Sequence, residues 1–188
     1  MKIRFATERD ALALLEIYNQ YIDTTITFEY ELPSEAEFQR RIREFSEMYP
    51  YLVCEDEGKV IGYAYAHRAF ERAAFQWDAE VSIYLDKDAR GKGLGKRMYS
   101  ILLELLKEQG VITVYSLIST PHPRSEKLHF DMGFELIGIH KNTGFKAGKW
   151  CDISWYQLIL NEHAKNPVPI TSIHDLDREK VKTILEQL

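Results

Sequence analysis

A short basic, glycine-rich segment, Arg90 to Gly95, has residue types that suit the binding of a phosphorylated ligand. It lies between a predicted strand, Ala79 to Leu85, and a predicted amphipathic helix, Leu94 to about Gln109. The first N–H groups of a helix are unpaired and favour anions, and glycines let a ligand approach the backbone closely. We therefore predict a diphosphate site here, with Arg90 and Lys92 adding positive charge.

The spacing of the glycines excludes two common nucleotide-binding patterns. The pattern Gly-x-x-x-x-Gly-Lys-Ser/Thr, begun at Gly91, would require Gly-Lys where Lys96-Arg97 stands. The dinucleotide pattern Gly-x-Gly-x-x-Gly fails as well, because a lysine occupies the position of its third glycine. The pattern that does match is Arg-x-x-Gly-x-Gly, at Arg90, Gly93 and Gly95.

Hydrophobic periodicity and turn residues predict strands and helices along the rest of the chain. A strand from Lys2 to Ala6 precedes two helices, the second beginning with Ser34 as its N-cap. Further predicted elements are a hairpin over Tyr51–Glu55 and Val60–His67, a buried strand at Val111–Ile118, a short helix capped by Ser125, strands at Phe134–Ile139 and Trp150–Leu160 joined by a loop, and an amphipathic helix from His174 or Asp175 to Leu188.

The Arg-x-x-Gly-x-Gly loop, placed between a strand and an amphipathic helix, resembles the coenzyme A pyrophosphate loop of the GNAT superfamily of N-acetyltransferases. The order of the predicted elements is similar to that superfamily too. The resemblance implies an α/β fold with a mixed, mostly antiparallel central sheet that is splayed at the cofactor site and flanked by helices. It implies acetyl-CoA as co-substrate.

Matches spread over about residues 2 to 160 resemble one branch, the phosphinothricin and methionine sulfoximine N-acetyltransferases. They include Thr27-Phe28-Glu29, Glu80-x-Ser82-Ile83-Tyr84-Leu85, Leu128-His129 and Gly144-Phe145-Lys146-x-Gly148-x-Trp150-x-Asp152. This resemblance implies an enzyme that acetylates the α-amino group of a small amino-acid analogue, such as phosphinothricin or methionine sulfoximine or sulfone. It also implies a homodimer.

The resemblance places the chemistry around Glu80, which could act as the base that deprotonates the acceptor amine. His129 is either a second proton carrier or a packing residue, and Tyr84 is either a proton donor to the leaving thiolate or a packing residue. The implied cofactor-binding residues are Ile83, Tyr84, Leu85, Arg90, Gly91, Lys92, Gly93, Leu94, Gly95, His122 and Ser125. The implied substrate-binding residues are Phe28, Glu29, Arg72, Ala73, Ala74 and Lys146.

Three positions depart from the pattern of this branch. His122 stands where Asn is usual, in the loop that meets the coenzyme A arm. Asp78 stands where Thr is usual and Phe75 where Tyr is usual, both beside the implied acceptor pocket. The first departure concerns a cofactor contact, and the other two concern the choice of acceptor.

The overall composition favours a small-molecule enzyme. The chain has 188 residues and a net charge of −5, which disfavours nucleic acid and anionic membranes as partners. Cys54 and Cys151 have no partner at metal-ligand spacing, so we expect no metal site.

The N-terminus has no long apolar run, which predicts a cytoplasmic protein. We expect an acetyltransferase domain over residues 1–160 and a helical extension over 161–188.

Two alternatives remain open. The enzyme could acetylate a different amine, such as a protein N-terminus, a polyamine or an aminoglycoside. The chain could also be an acyl-CoA-binding regulator without catalysis, which the unusual His122 favours.

Overall fold

The computed structural model describes residues 1–91 and 93–187, so Lys92 and Leu188 lie outside the described residues. A seven-stranded sheet in the order β1-β2-β3-β4-β5-β7-β6 forms the centre of the fold. Its strands are β1 Lys2–Phe5, β2 Tyr51–Asp56, β3 Lys59–Arg68, β4 Asp78–Leu85, β5 Thr113–Thr120, β6 Glu135–Lys146 and β7 Lys149–Ile159. The helices are α1 Ala11–Asn19, α2 Glu35–Ser46, α3 Leu94–Gln109, α4 Pro123–Asp131 and α5 Arg178–Leu185.

The β4–β5 pair is parallel, whereas the other neighbouring strands are antiparallel. Its ladder is short, because it contains only the pairs Asp78–Thr113, Ala79–Val114 and Glu80–Tyr115. Beyond Glu80 the two strands diverge, while β4 stays paired with β3 and β5 stays paired with β7. The mixed, splayed sheet predicted from the sequence is therefore confirmed.

The helix α3 packs its apolar side on one face of the sheet and has the bounds that its periodicity predicts. Its buried residues include Met98, Ile101, Leu102, Leu105 and Leu106, which join one hydrophobic core with β3, β4 and β5. Burial of such aliphatic side chains stabilises the fold by about 1.5–3 kcal/mol for each of them.

The helices α1 and α2 cover the opposite face of the sheet and form a second core that is rich in tyrosine. Local hydrogen bonds mark the start of a short 3₁₀ turn, Glu8–Asp10, which leads into α1, and the start of α2. The backbone N–H of Thr7 donates to Asp10 Oδ2 at 2.7 Å, and the hydroxyl of Ser34 accepts from the N–H of Glu37 at 3.2 Å. Both caps match the sequence pattern.

Three predicted elements differ from the structure. The helix α4 begins at Pro123 with His122 as its N-cap, so the predicted Ser125 cap is wrong. The strand β6 continues to Lys146, beyond the predicted end at Ile139. The final helix is shorter than predicted, because Asp177 caps a new helix start and accepts from the N–H of Lys180 at 2.8 Å.

The C-terminal segment packs against the rest of the fold rather than extending away from it. Ile173 and Ile184 are buried in the same core as α3. The side-chain amide of Gln109, at the end of α3, donates to the carbonyls of Met48 and Thr171 at 2.6 and 2.8 Å. No helix of the described chain is long and apolar enough to cross a membrane.

Candidate functional site

The divergence of β4 and β5 opens a cavity of about 680 Å³ along the end of β4. A narrower space of about 70 Å³ extends between the two strands and shares part of its lining with the larger one. Seven of the predicted cofactor-binding residues line the larger cavity: Ile83, Tyr84, Leu85, Arg90, Gly91, His122 and Ser125. The structure thus brings together residues from β4, the glycine-rich loop and α4.

The glycine-rich loop turns directly into α3. Gly93 is the N-cap of the helix and has a φ of 75°, a conformation that costs an L-residue about 1–2 kcal/mol. Gly95 is buried in the first turn, and the side chain of Leu94 lies in the core, so Leu94 can offer a ligand only its backbone. Lys92, which was also predicted here, lies outside the described residues. The loop therefore presents the unpaired N–H groups that bind anions.

Arg90 is held at the edge of the large cavity by Tyr21. Its Nη2 donates to the Tyr21 hydroxyl at 2.5 Å, and its guanidinium lies 5.0 Å from the centroid of the Tyr21 ring. The Tyr21 hydroxyl in turn donates to the carbonyl of Leu85. Tyr21 was not among the predicted site residues, because it follows α1 and is far from the loop in sequence.

Three further cations line the same cavity: Lys87, Arg124 and Lys127. Sequence reasoning missed them because Lys87 follows β4 whereas Arg124 and Lys127 lie on α4, and only the tertiary structure brings these two segments together. Lys127 also pairs with Asp131 at 2.8 Å. In a chain with a net charge of −5, this concentration of positive charge suits a ligand with several phosphates.

His122 has a structural role that accounts for an imidazole at this position. Its Nδ1 accepts the backbone N–H of Ser125 at 3.0 Å and so caps α4. Burial lowers the pKa of His122, which favours the neutral ring with its proton on Nε2. Asparagine is also a good N-cap residue, so His122 performs a task that the usual Asn can perform as well.

Glu80 occupies the last paired position of the β4–β5 ladder, where the gap between the strands begins. Its side chain is 24% exposed, and Oε1 lies 3.8 Å from Nε2 of His67. Burial raises the pKa of Glu80, and the neighbouring His67 lowers it. A carboxylate in such surroundings has the properties of a general base.

His129 is a buried ring with both nitrogens hydrogen-bonded. Its Nδ1–H donates to the carbonyl of Ser125 at 2.8 Å, and its Nε2 accepts from the Tyr99 hydroxyl at 3.2 Å. Burial lowers the pKa of His129 to about 4, so the ring is neutral at neutral pH. These contacts support packing and orientation of α4 as its role, although it also borders the narrow space between the strands.

Tyr84 lies among three other tyrosine rings and borders both spaces. Its ring centroid is 5.1 Å from that of Tyr18, 5.7 Å from that of Tyr21 and 5.3 Å from that of Tyr63. Burial raises the pKa of Tyr84 well above its usual value. Tyr84 is therefore a neutral phenol that can donate a proton or a hydrogen bond.

The predicted acceptor wall is built on close contact between Phe28 and Gly144. A Cβ atom at Gly144 would overlap the ring of Phe28, so only glycine leaves room for this ring. A cavity of about 330 Å³ adjoins the two residues.

Lys146 contacts the same segment of backbone. Its Nζ is buried and donates to the carbonyls of Thr27 and Glu29 at 2.6 and 2.8 Å. The carboxylate of Glu29 pairs with Arg41 at 2.7 Å. These contacts fix the segment that carries Phe28, and a direct contact of Lys146 or Glu29 with a substrate stays a prediction.

Arg72, Ala73 and Ala74 lie on an exposed turn before β4, with Arg72 at its N-cap position. The turn is anchored near Glu80 by Phe70, whose ring packs edge-on against Tyr115 at 5.6 Å. Phe70 also contacts the ring of Phe75 at 5.0 Å. Since Tyr115 on β5 is paired with Glu80 on β4, these contacts place the predicted substrate turn close to Glu80.

Within residues 1–91 and 93–187, no three His, Cys, Asp or Glu side chains are arranged to hold a metal ion. The site is instead a cavity with cations at one end and a narrower extension towards the half-buried carboxylate of Glu80. This arrangement suits transfer of a group from a phosphorylated carrier.

Comparison with known proteins agrees with this class of site. The chain matches the acetyltransferase (GNAT) domain family over residues 3–155. It is 34% identical over 158 residues to the phosphinothricin N-acetyltransferase of Streptomyces viridochromogenes, covering 84% of this chain and 86% of that protein. It is 32% identical over 168 residues to the L-methionine sulfoximine/L-methionine sulfone acetyltransferase of Salmonella typhimurium, covering 87% and 97%.

A solved structure shows the same fold. The phosphinothricin acetyltransferase of Sinorhizobium meliloti, in complex with AcCoA, has a TM-score of 0.84 and 38% identity, over 91% of this chain and 97% of that one. The chain belongs to the GNAT acetyltransferase family, and the family predicted from its motifs is confirmed.

The neutral, buried state of His129 generates a prediction about stability. The pKa of His129 is lowered from 6.5 to about 4, so its protonation favours the unfolded chain in this interval. Above pH 6.5 the ring is neutral in both the folded and the unfolded chain, so it does not reduce the free energy of unfolding. As the pH drops to about 4, that free energy should fall by about 3 kcal/mol. Urea unfolding of the wild type and His129→Leu over this range measures the difference.

The His129→Leu protein should lack this part of the pH dependence, even if it is less stable overall. Leu12→Gln, at an exposed position that does not titrate, is the control and should leave the slope unchanged. Equal slopes for the wild type and His129→Leu would contradict the assignment.

Proposed function

We propose that this protein is an acetyl-CoA-dependent N-acetyltransferase that acetylates the α-amino group of a small amino-acid analogue. One observation carries the proposal. Seven of the predicted cofactor-binding residues line a single cavity that continues into the gap between β4 and β5, and Glu80 lies where that gap begins. The names of the relatives, phosphinothricin and methionine sulfoximine acetyltransferases, support the choice of acceptor class.

The basic end of the cavity would hold the phosphates of the donor. The N–H groups of the loop from Arg90 to Gly95 would bind the pyrophosphate, and the Arg90 side chain would add a charged hydrogen bond. Lys87 and Arg124 line the same cavity and would attract the remaining phosphate of the donor. The backbone of Ile83 to Leu85 faces the gap and would hydrogen-bond the extended arm of the donor.

The reaction requires a neutral amine, and acetyl-CoA supplies the acetyl group as a thioester. Glu80 would take a proton from the acceptor ammonium, directly or through a water, which leaves the nitrogen free to attack the thioester carbonyl. The carbon–sulfur bond then breaks as the amide forms. Tyr84, as a neutral phenol bordering the gap, would donate a proton to the departing thiolate.

The acceptor would lie beside Glu80, between the turn of Arg72 and the wall formed by Phe28. The exposed Arg72 guanidinium suits the carboxylate of an amino acid, because its planar fork can bind both oxygens. Ala73 and Ala74 would leave space next to it. Lys146 would act indirectly, by fixing the backbone that carries Phe28.

We also propose that the chain forms a homodimer through the edge strand β6 and its hairpin partner β7. Large apolar side chains are exposed there: Leu136, Ile137, Ile139, Phe145 and Trp150. Such a patch at a sheet edge favours association. Residues 1–160 would form the acetyltransferase domain, with 161–188 as its helical extension. We propose the cytoplasm as its compartment, where free thiols such as Cys54 and Cys151 persist.

The proposed function predicts turnover with amino-acid analogues. Acetyl-CoA-dependent thiol release should occur with methionine sulfone, methionine sulfoximine or phosphinothricin, and should be weak with a polyamine, an aminoglycoside or a peptide N-terminus. The measurement is a thiol assay over this panel of amines. Binding of acetyl-CoA without turnover of any amine would favour the regulator, and turnover only of polycations would overturn the acceptor class.

The role of Glu80 as the base predicts that its replacement reduces acetyl transfer without reducing acetyl-CoA binding. Glu80→Gln preserves shape but cannot take up a proton, so the rate of acetyl transfer should fall by about 10²–10⁴-fold. Acetyl-CoA binding, measured by calorimetry, should be retained. Glu135→Gln, at an exposed position on β6, should leave both unchanged. Undiminished transfer by Glu80→Gln would remove Glu80 from the mechanism.

The two tasks of His122 predict that Asn can replace it. We propose that Nδ1 caps α4 while Nε2–H donates to the cofactor arm, so His122→Asn should keep both functions and nearly normal KM for acetyl-CoA. His122→Ala should lose the cap, at about 1 kcal/mol of stability, and should raise that KM. Thermal unfolding and steady-state kinetics measure these effects. A normal KM in His122→Ala would exclude the cofactor contact.

A further inference from the structure

A second titratable side chain faces Glu80 from the neighbouring strand. His67 on β3 is directly opposite Glu80 on β4 in the antiparallel register. Nε2 of His67 lies 3.8 Å from Oε1 of Glu80, and the two side chains are 26% and 24% exposed. His67 was not among the predicted site residues, because a sequence does not reveal which residue of one strand lies opposite a given residue of the next.

The ring of His67 is held in one orientation. It stacks on Phe45 of α2 with the centroids 5.0 Å apart and on Tyr65 at 6.0 Å. Its Nδ1 lies 2.9 Å from the carbonyl of Arg68, so this nitrogen carries a proton and donates it to that oxygen. Nε2 is therefore the nitrogen that faces Glu80. When the ring is neutral, Nε2 presents a lone pair to the carboxylate, and when the ring is protonated it presents an N–H.

The other groups around Glu80 do not supply a positive charge. The charge of Glu80 raises the pKa of Tyr65 and of Tyr99, and Tyr115 is paired with Glu80 in the β4–β5 ladder. Burial raises the pKa of all three phenols, so they stay neutral. Arg41 of α2 is paired with Glu29 and Glu37. Among the described residues, His67 is the only group that can carry a positive charge within ion-pair distance of Glu80.

We propose that His67 is a positioning residue that, as an imidazolium, holds Glu80 in the carboxylate form and so extends acetyl transfer to lower pH. The proposal rests on the proposed role of Glu80 as the base. The proton of the acceptor ammonium passes to a Glu80 oxygen, which breaks an N–H bond and forms an O–H bond, and it then returns to solvent. Since an imidazole gains its charge as the pH falls, His67 protects the carboxylate where protonation would otherwise inactivate it.

The opposing influences on Glu80 support this role. Burial raises the pKa of Glu80, and the charge of His67 lowers it. Without His67 only the effect of burial would remain, and Glu80 would become protonated at a higher pH. The acid side of the pH profile is therefore the property that reports on His67.

The experiment measures kcat/KM for the acceptor against pH, at saturating acetyl-CoA, in the wild type, His67→Phe and His67→Arg. His67→Phe keeps an aromatic ring against Phe45 but has no charge, and the midpoint of its acid limb should move up by about one pH unit. Well above that limb, its kcat/KM should stay within about threefold of the wild type. His67→Arg restores a cation and should return the midpoint towards the wild-type value. The free acceptor ionises in the same way in every assay, so it does not contribute to a difference between the proteins.

Each outcome separates this inference from the proposed function. A wild-type protein with no acetyl transfer would contradict the function itself. An active wild type with an unmoved limb in His67→Phe, or with an equal loss at every pH, would overturn the inference and leave the function standing. A limb that moves in His67→Phe and stays moved in His67→Arg would also overturn it. If His67→Phe does not fold, as judged by circular dichroism, His67→Gln replaces it with the same expected shift.

Discussion

The end of the β4–β5 ladder after Glu80 and Tyr115 is the constraint on which the site depends. Two parallel strands that remained paired would leave no space between them and no free backbone groups. Because they diverge, the facing edges of both strands become available to a ligand, while pairing with β3 and β7 keeps each strand rigid. The gap is thus open while both strands that border it remain part of the sheet.

The same divergence explains why the positive charges converge. The chain leaves β4 into the loop that begins α3, and it leaves β5 into the loop that begins α4. Both helix N-termini therefore lie at the open end of the gap, where their N–H groups and the cations beside them favour an anion. Tyr21 adds a link to the end of α1, since it orients Arg90 and bonds to the backbone of β4.

The two faces of the sheet have different tasks. The face against α3 is mainly aliphatic and contains the larger group of buried residues. The face against α1 and α2 carries a row of aromatic rings that ends in His67, which lies opposite Glu80. Stacked rings with raised phenol pKa values provide a weakly polar, rigid environment, and in it a single charge such as that of His67 has a larger effect than it would in water.

Local signals account for the predictions that succeeded. The length of α3 follows from apolar residues at helical spacing and from glycines at both of its ends, and these act within a few residues of chain. The start of α4 was placed wrongly because a histidine can cap a helix through Nδ1, which residue preferences alone do not reveal. The continuation of β6 to Lys146 was missed because pairing with β7, rather than local propensity, makes that segment a strand.

The sequence by itself determined the family, the order of the elements and the anion-binding loop, because motif spacing and periodicity are local properties of the chain. Only the tertiary structure decided which distant groups meet. It placed Tyr21 on Arg90, gathered Lys87, Arg124 and Lys127 around one cavity, and set His67 opposite Glu80. Strand register and helix packing determine those contacts, and both depend on the whole core rather than on any short segment.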